Sequence, residues 1–357
     1  MCKDPLHGFL AELPKCEHHI HIEGSLTPDL LFALAAKNKI TLPSAEDPAF
    51  ASVEALYARY KTFSSLDDFL AYYYIGFSVL LTAADFEELG YAYFAKAHAQ
   101  NVRHAEVFFD AQAHTTRGVP YATVVDGLTR AQRRAELDFG VSSLLIMCFL
   151  RHLPVPESRA LFDEVKGLGH FADGTLAGIG MDSSEAPFPP HLFTDIYVAA
   201  EAAGIRRTAH ICEEGPPSHV TTALDELCVQ RIDHGVRAAE DPAVLARLAR
   251  EGIMLTVCPL SNVALKGFER VADLPIRKML DAGVRFSING DDPAYFGGYV
   301  LECCCAVQEA FGLSLDEWEG ITKTAVEGSW CGDERKRALL DEVGNVVGTW
   351  RGRLSGA

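Results

Sequence analysis

The sequence predicts an α/β protein: a closed (β/α)8 TIM barrel with a helical insertion after the first strand and a helical C-terminal extension. Three observations carry that prediction. Eight short apolar runs rich in β-branched residues recur along the chain. Longer amphipathic stretches separate them, which implies parallel pairing through right-handed crossovers. A chain of 357 residues is long for one ordinary domain but suits a barrel with insertions.

The first run, residues 16–22, reads C-E-H-H-I-H-I. Residues 27–102 follow before the next run and carry Tyr57, Tyr60, Phe63, Phe69, Tyr72, Tyr73, Tyr74 and Phe77. This stretch reads as several extra helices. Loops that follow barrel strands surround the active site, so the insertion is a candidate lid or pocket wall. Its aromatic residues also serve to pack it on the barrel. The remaining runs are 104–109, 143–149, 176–181, 206–211, 231–233, 253–257 and 284–288. Between them lie patterns such as D-P-A-V-L-A-R-L-A-R-E-G, with helical apolar spacing and Gly252 as a stop. The tail from 313 to 357 is helical, then polar, and carries no evident chemistry. Residues 1–357 are read as a single domain, with the barrel core at about 13–312.

Lys and Arg number 32 against 49 Asp and Glu, a formal charge of −17. Such a chain repels phosphate backbones and anionic lipid, which argues against nucleic-acid and membrane partners. A neutral or cationic small molecule fits better. No apolar stretch approaches the roughly 18 residues that span a bilayer, and the N-terminus lacks a secretory apolar segment. The expectation is a soluble, cytoplasmic protein, with the nucleus open as a second compartment. The ten cysteines form no C-x-x-C pair and read as reduced, buried thiols. Cys303, Cys304 and Cys305 are consecutive, point in different directions on a helix, and are given no metal role.

Alternate side chains of a strand share a face, so His19 and His21 project together while His18 and Ile20 face the other way. Two such imidazoles can chelate a divalent ion. His210 ends the fifth run, and Asp291 and Asp292 follow the eighth. Alone, His210 reads as a core histidine and the Asp-Asp-Pro turn as a helix cap. Together at barrel strand ends they form a three-histidine, one-carboxylate set suited to zinc, with a position open for water. Glu213 and His234 stand at the same rim, where a general acid or base must lie within hydrogen-bond reach of the reacting atoms. The pattern is one of metal-assisted hydrolysis.

Seven motifs now stand in order: PKCEHHIHIEGSL (14–26), FFDAQAHTTRGV (108–119), GMDSSE (180–185), HICEEG (210–215), RIDHG (231–235), CPLSN (258–262) and DDPAYFGGY (291–299). Through them the chain resembles the adenosine/adenine deaminase family of metal-dependent amidohydrolases, over about residues 13–299. The resemblance implies that His19, His21, His210 and Asp291 hold one zinc ion per chain, with another divalent metal left open. It implies that Glu213 protonates the ring nitrogen beside the attacked carbon, that His234 orients the attacking water, and that Asp292 meets that water and the purine N7 edge. Ser183 aligns with a backbone contact to ring N3.

Within the family the chain is more similar to the adenine deaminase branch, because Glu23 stands where nucleoside deaminases carry Asp to hold the ribose. The implied reaction is hydrolytic deamination of adenine to hypoxanthine and ammonia. A different aminopurine, such as adenosine or an N6-substituted adenine, remains open, as does a catalytically silent purine-binding protein. The chain departs from the family at Ile211-Cys212, usually Ala-Gly, at Gly290, usually Ser or Thr, and at His18, usually Leu. Cys212 is expected to share the face of His210 and to narrow the base pocket.

Overall fold

The computed structural model describes residues 4–355. Its eight strands are β1 (Lys15–His21), β2 (Val102–Phe109), β3 (Ser142–Leu150), β4 (Gly178–Asp182), β5 (Arg206–Ile211), β6 (Arg231–His234), β7 (Met254–Val257) and β8 (Arg285–Ile288). They pair in chain order, and every pairing from β1–β2 to β7–β8 is parallel. Helices flank them, giving a nearly closed TIM barrel. The ends meet through backbone. Asp291, just beyond β8, donates its N–H to the His19 carbonyl at 3.0 Å and accepts from the His21 N–H at 3.1 Å.

All eight apolar runs fall on these strands. β3 and β7 are near-continuous in Leu, Ile, Met and Val because a parallel strand is buried on both faces. The helices start and stop by ordinary chemistry. Pro242–Glu251 begins at Asp241, whose side chain accepts from the N–H of Ala243 and Val244, has Pro at its first position, and ends at left-handed Gly252.

The insertion contains helices Pro28–Asn38, Val53–Tyr60, Leu66–Gly76 and Ala83–Ala99. Thr27, Ser52 and Ser65 cap the first three by accepting from backbone N–H groups. Leu66–Gly76 leans over the C-terminal end of the barrel. Ser184, beyond β4, donates to Asp67 at 2.5 Å, and the Tyr74 hydroxyl meets Ser183 at 3.4 Å. The rest of the aromatic cluster is packing: Tyr60 stacks on Tyr295 with centroids 4.4 Å apart.

Below the strand ends the barrel floor is polar. Arg231 is buried with Glu106 as its ion partner and lies 4.4 Å over the Trp330 ring. His18 does not alternate away as expected: the strand register slips between Glu17 and Ile20, which turns His18 into this polar floor beside Glu106 and Arg231, where it meets Ser287 and Ser329 at 3.1 and 2.7 Å. Nine cysteines lie among the described residues and none is in a disulfide there; Cys2 lies outside them. No helix among the described residues is long and apolar enough to cross a membrane.

Candidate functional site

β1, β5 and the turn after β8 bring His19, His21, His210 and Asp291 together. All four are buried, and one ligand atom from each falls within 4.8 Å of the others. His21 Nε2 and His210 Nε2 are 3.0 Å apart. Asp291 Oδ1 lies 3.2 Å from His19 Nε2 and 3.6 Å from His21 Nε2. Bonds of about 2.1 Å meeting at a tetrahedral angle hold their outer atoms roughly 3.4 Å apart, so these spacings fit one small cation.

The protons point the same way. Thr256 Oγ1 donates to Asp233 Oδ1 at 3.1 Å, so it accepts from His19 Nδ1 at 2.8 Å. That fixes the tautomer and leaves a lone pair on His19 Nε2. This atom is buried and has no hydrogen-bond partner among the described residues. Asp182 Oδ2 faces His21 Nδ1 at 3.4 Å, and Asp233 Oδ2 faces His210 Nδ1 at 3.8 Å. Each imidazole thus has an oxygen behind it and Nε2 in front. Burial lowers the pKa of His21, and lowers that of His210 further with the other imidazoles adding to it, so both rings are neutral ligands. Burial opposes charge on Asp291, but His19, His234 and His21 outweigh it and hold the carboxyl below its usual range. Three nitrogens and one carboxylate oxygen are a donor set suited to a divalent transition metal.

Around the cluster opens a pocket lined by His234, Glu213, Asp292, Ser183, Asp182 and Asp110, with Leu66, Phe69, Leu70, Tyr73 and Tyr74 of the insertion as an apolar wall. His234 Nε2 lies 3.5 Å from Glu213 Oε2 and 3.8 Å from Asp291 Oδ2. Burial pushes the Glu213 carboxyl well up, with Asp291, Glu214 and Glu185 adding to it, which favours its protonated form. Burial holds His234 neutral, down at about 3. Asp292 Oδ1 is buried without a partner among the described residues. Gly24 permits that placement, since a Cβ there would come within 2.6 Å of the Asp292 Cα.

Two expected pocket residues lie elsewhere. Cys212 does not narrow the pocket. Its φ of 57° breaks the strand alternation, and its thiol donates to the Pro216 carbonyl at 3.1 Å. Glu23 does not line the pocket either. Its Oε1 accepts from His114 Nε2 at 2.8 Å and from the Asp110 N–H at 3.1 Å. Gly290 has a local reason: its N–H donates to Glu17 Oε1 at 3.0 Å, and a Cβ would sit 2.9 Å from that oxygen.

Sequence reasoning did not single out Asp110, Asp182, Asp233, Thr256 or Glu185. Asp110 directly follows β2 and Asp182 ends β4, and that position was their available signal. Glu185 accepts from the backbone N–H groups of Cys212, Glu213, Glu214 and Gly215 at 2.9–3.1 Å, and from His219 Nδ1 at 2.8 Å. It fixes the loop that presents Glu213. The arrangement can hold a metal, supply a proton from Glu213, and do both in a pocket shielded from bulk water.

Comparison with known proteins agrees with this chemistry. The family described as adenosine deaminase matches residues 14–346. An adenine deaminase of Aspergillus fumigatus is 56% identical over 97% of this chain and 98% of its own. The crystal structure of an adenine deaminase from Arthrobacter aurescens superposes with a TM-score of 0.89 at 44% identity, covering 94% of this chain and 99% of that one. An amidohydrolase from Burkholderia ambifaria, solved with bound zinc, superposes with a TM-score of 0.86 at 31% identity, covering 98% and 95%. Its cluster, its pocket and these full-length likenesses place the chain in the adenosine deaminase family.

Proposed function

We propose that the chain hydrolyses adenine to hypoxanthine and ammonia, with its barrel and insertion acting as one catalytic domain. One observation carries the reading: a buried Glu213, whose surroundings favour its protonated form, shares a pocket with His234 and with four converging side chains able to hold a metal. Near-full-length similarity to adenine deaminases names the base.

His19, His21, His210 and Asp291 would hold the ion, which we take to be zinc on the donor set and on the zinc in the Burkholderia relative. When bound, it supplies Lewis-acid activation of a water near neutral pH. Glu213 then gives its proton to ring N1 as the water oxygen bonds to C6, so negative charge does not build up on the purine. His234 orients the water, and Asp292 takes one of its protons and passes it to the amino group. The C6–N6 bond breaks and ammonia leaves. The hydroxyl proton on C6 returns to Glu213, which restores the acid. Ser183 meets the N3 edge, and Asp292 also meets N7. The reduced cysteines fit a cytoplasmic site of action.

The test is ammonia release from adenine, adenosine, AMP and N6-methyladenine, with metal quantified in the same preparation. Adenine is expected to give by far the highest kcat/KM. A preference for adenosine would displace the reading, and tight purine binding without ammonia from fully metallated protein would identify a silent binder.

A further inference from the structure

We propose that the Asp110 carboxyl accepts the N9–H of the free base and thereby selects adenine over its nucleoside. The proposal rests on the deaminase reading above and specifies how that pocket chooses its substrate.

Asp110 follows β2, is 1% exposed, and lines the pocket. Its Oδ1 is buried with no hydrogen-bond partner among the described residues. A buried polar atom left unpaired in a pocket is an unfilled place for a ligand group. Its backbone is held firmly, because its N–H donates to Glu23 Oε1 at 3.1 Å and that oxygen also takes the His114 ring N–H at 2.8 Å.

The order of strands around the rim supplies the rest. Glu213 on the β5 side is assigned to N1, Ser183 after β4 to N3, and Asp292 after β8 to N7. On a purine N9 lies between N3 and N7, across the ring system from N1. It therefore faces the arc of rim that runs from β8 through β1, β2 and β3 to β4. The pocket-lining groups on that arc are His21, Asp110, Leu150 and Asp182. His21 belongs to the metal cluster and Leu150 is apolar; Asp182 turns its Oδ2 to the His21 ring at 3.4 Å, while its Oδ1, like that of Asp110, has no hydrogen-bond partner among the described residues. Of the insertion's hydroxyls, Tyr74 meets Ser183 at 3.4 Å, and Tyr73, unpaired among the described residues, stands beside Asp292 at the N7 edge. Of the two carboxyls, Asp182 is directed at an imidazole of the metal cluster, so N9–H falls to Asp110.

Glu23 thus acts at one remove. Its longer carboxylate reaches past the pocket to His114 and to the Asp110 backbone, and Asp110 presents the selective oxygen. A nucleoside has no N9 proton to give, and its sugar would have to displace a buried carboxyl. Sites built to hydrogen-bond a substrate N–H discriminate strongly against analogues that lack it.

The discriminating probe is 9-methyladenine, which keeps the amino group, N1, N3 and N7 and replaces only N9–H. For the wild-type metalloenzyme, kcat/KM is expected to favour adenine over 9-methyladenine by at least about 10²-fold. Asp110→Ala should shrink that ratio at least about tenfold by loss on adenine alone, with metal content unchanged. Asp110→Asn, which keeps an acceptor oxygen, should restore part of the ratio. Equal losses on both substrates, or an unchanged ratio, would overturn the proposal. If the wild type releases no ammonia from adenine, the deaminase reading fails by itself. The ratio of adenine to 9-methyladenine binding constants, wild type against Asp110→Ala, then still decides the role of Asp110.

Discussion

Ser183, Cys212, His234 and Asp291 stand in the left-handed region, with φ of 75°, 57°, 61° and 64°. They sit at the exits of β4, β5, β6 and β8. Side chains other than glycine pay about 1–2 kcal/mol for this conformation. Here the twist aims His234 and Asp291 inward, a use of strain common at functional sites. The same twist hides Cys212, which is why counting by two from His210 failed there. Gly24 is a second sensitive point. Gly24→Ala should push Asp292 aside and lower kcat/KM for adenine at least about 10²-fold while the protein stays folded, as steady-state kinetics and circular dichroism would show. Glu213→Gln should lower kcat/KM by about 10²–10⁴-fold with bound metal unchanged by elemental analysis. Asp291→Asn, in contrast, should lose metal and activity together.

The element that matters most to acid–base chemistry is the loop after β5, strung on the Glu185 carboxylate. Burial alone would raise that carboxyl, but His219, Arg151 and the backbone N–H groups bring it from 4.5 down to about 2. A carboxyl depressed in the fold binds fewer protons there than in the unfolded chain. Its contribution is complete above pH 4.5 and is lost as pH falls towards 2. Denaturant unfolding between pH 6 and 3 should therefore show stability falling more steeply in wild type than in Glu185→Gln. The variant should start from lower stability at pH 6. This loop also marks a limit of sequence reading. The strands were legible because β-branched runs bounded by helix stops need no tertiary knowledge, and His19 and His21 were legible because a strand's period of two puts them on one face. The partners Glu185–Gly215 and Asp233–Thr256 join separate strands or loops, and only barrel register brings them together. Glu23 stood in a recognisable motif, yet its direction depends on His114, 91 residues away.

At the scale of the whole molecule, a ligand set drawn from β1, β5 and β8 links both ends of the strand order. Removing metal by chelation should lower the Tm by several degrees and returning zinc should restore it, since a ligand held at 1,000 times its Kd stabilises by about 4 kcal/mol. Differential scanning calorimetry on the two forms would measure this. The cylinder is shut by the amide of Asp291, a residue whose carboxylate also faces His19 and His21. Parting that seam drags one claw of the chelate from the others, so loss of the ion and unzipping of the sheet are one event. The ion is then a clasp as well as a reagent, and the Asp291 and His21 amides should exchange with deuterium at the same rate at which the protein lets its metal go.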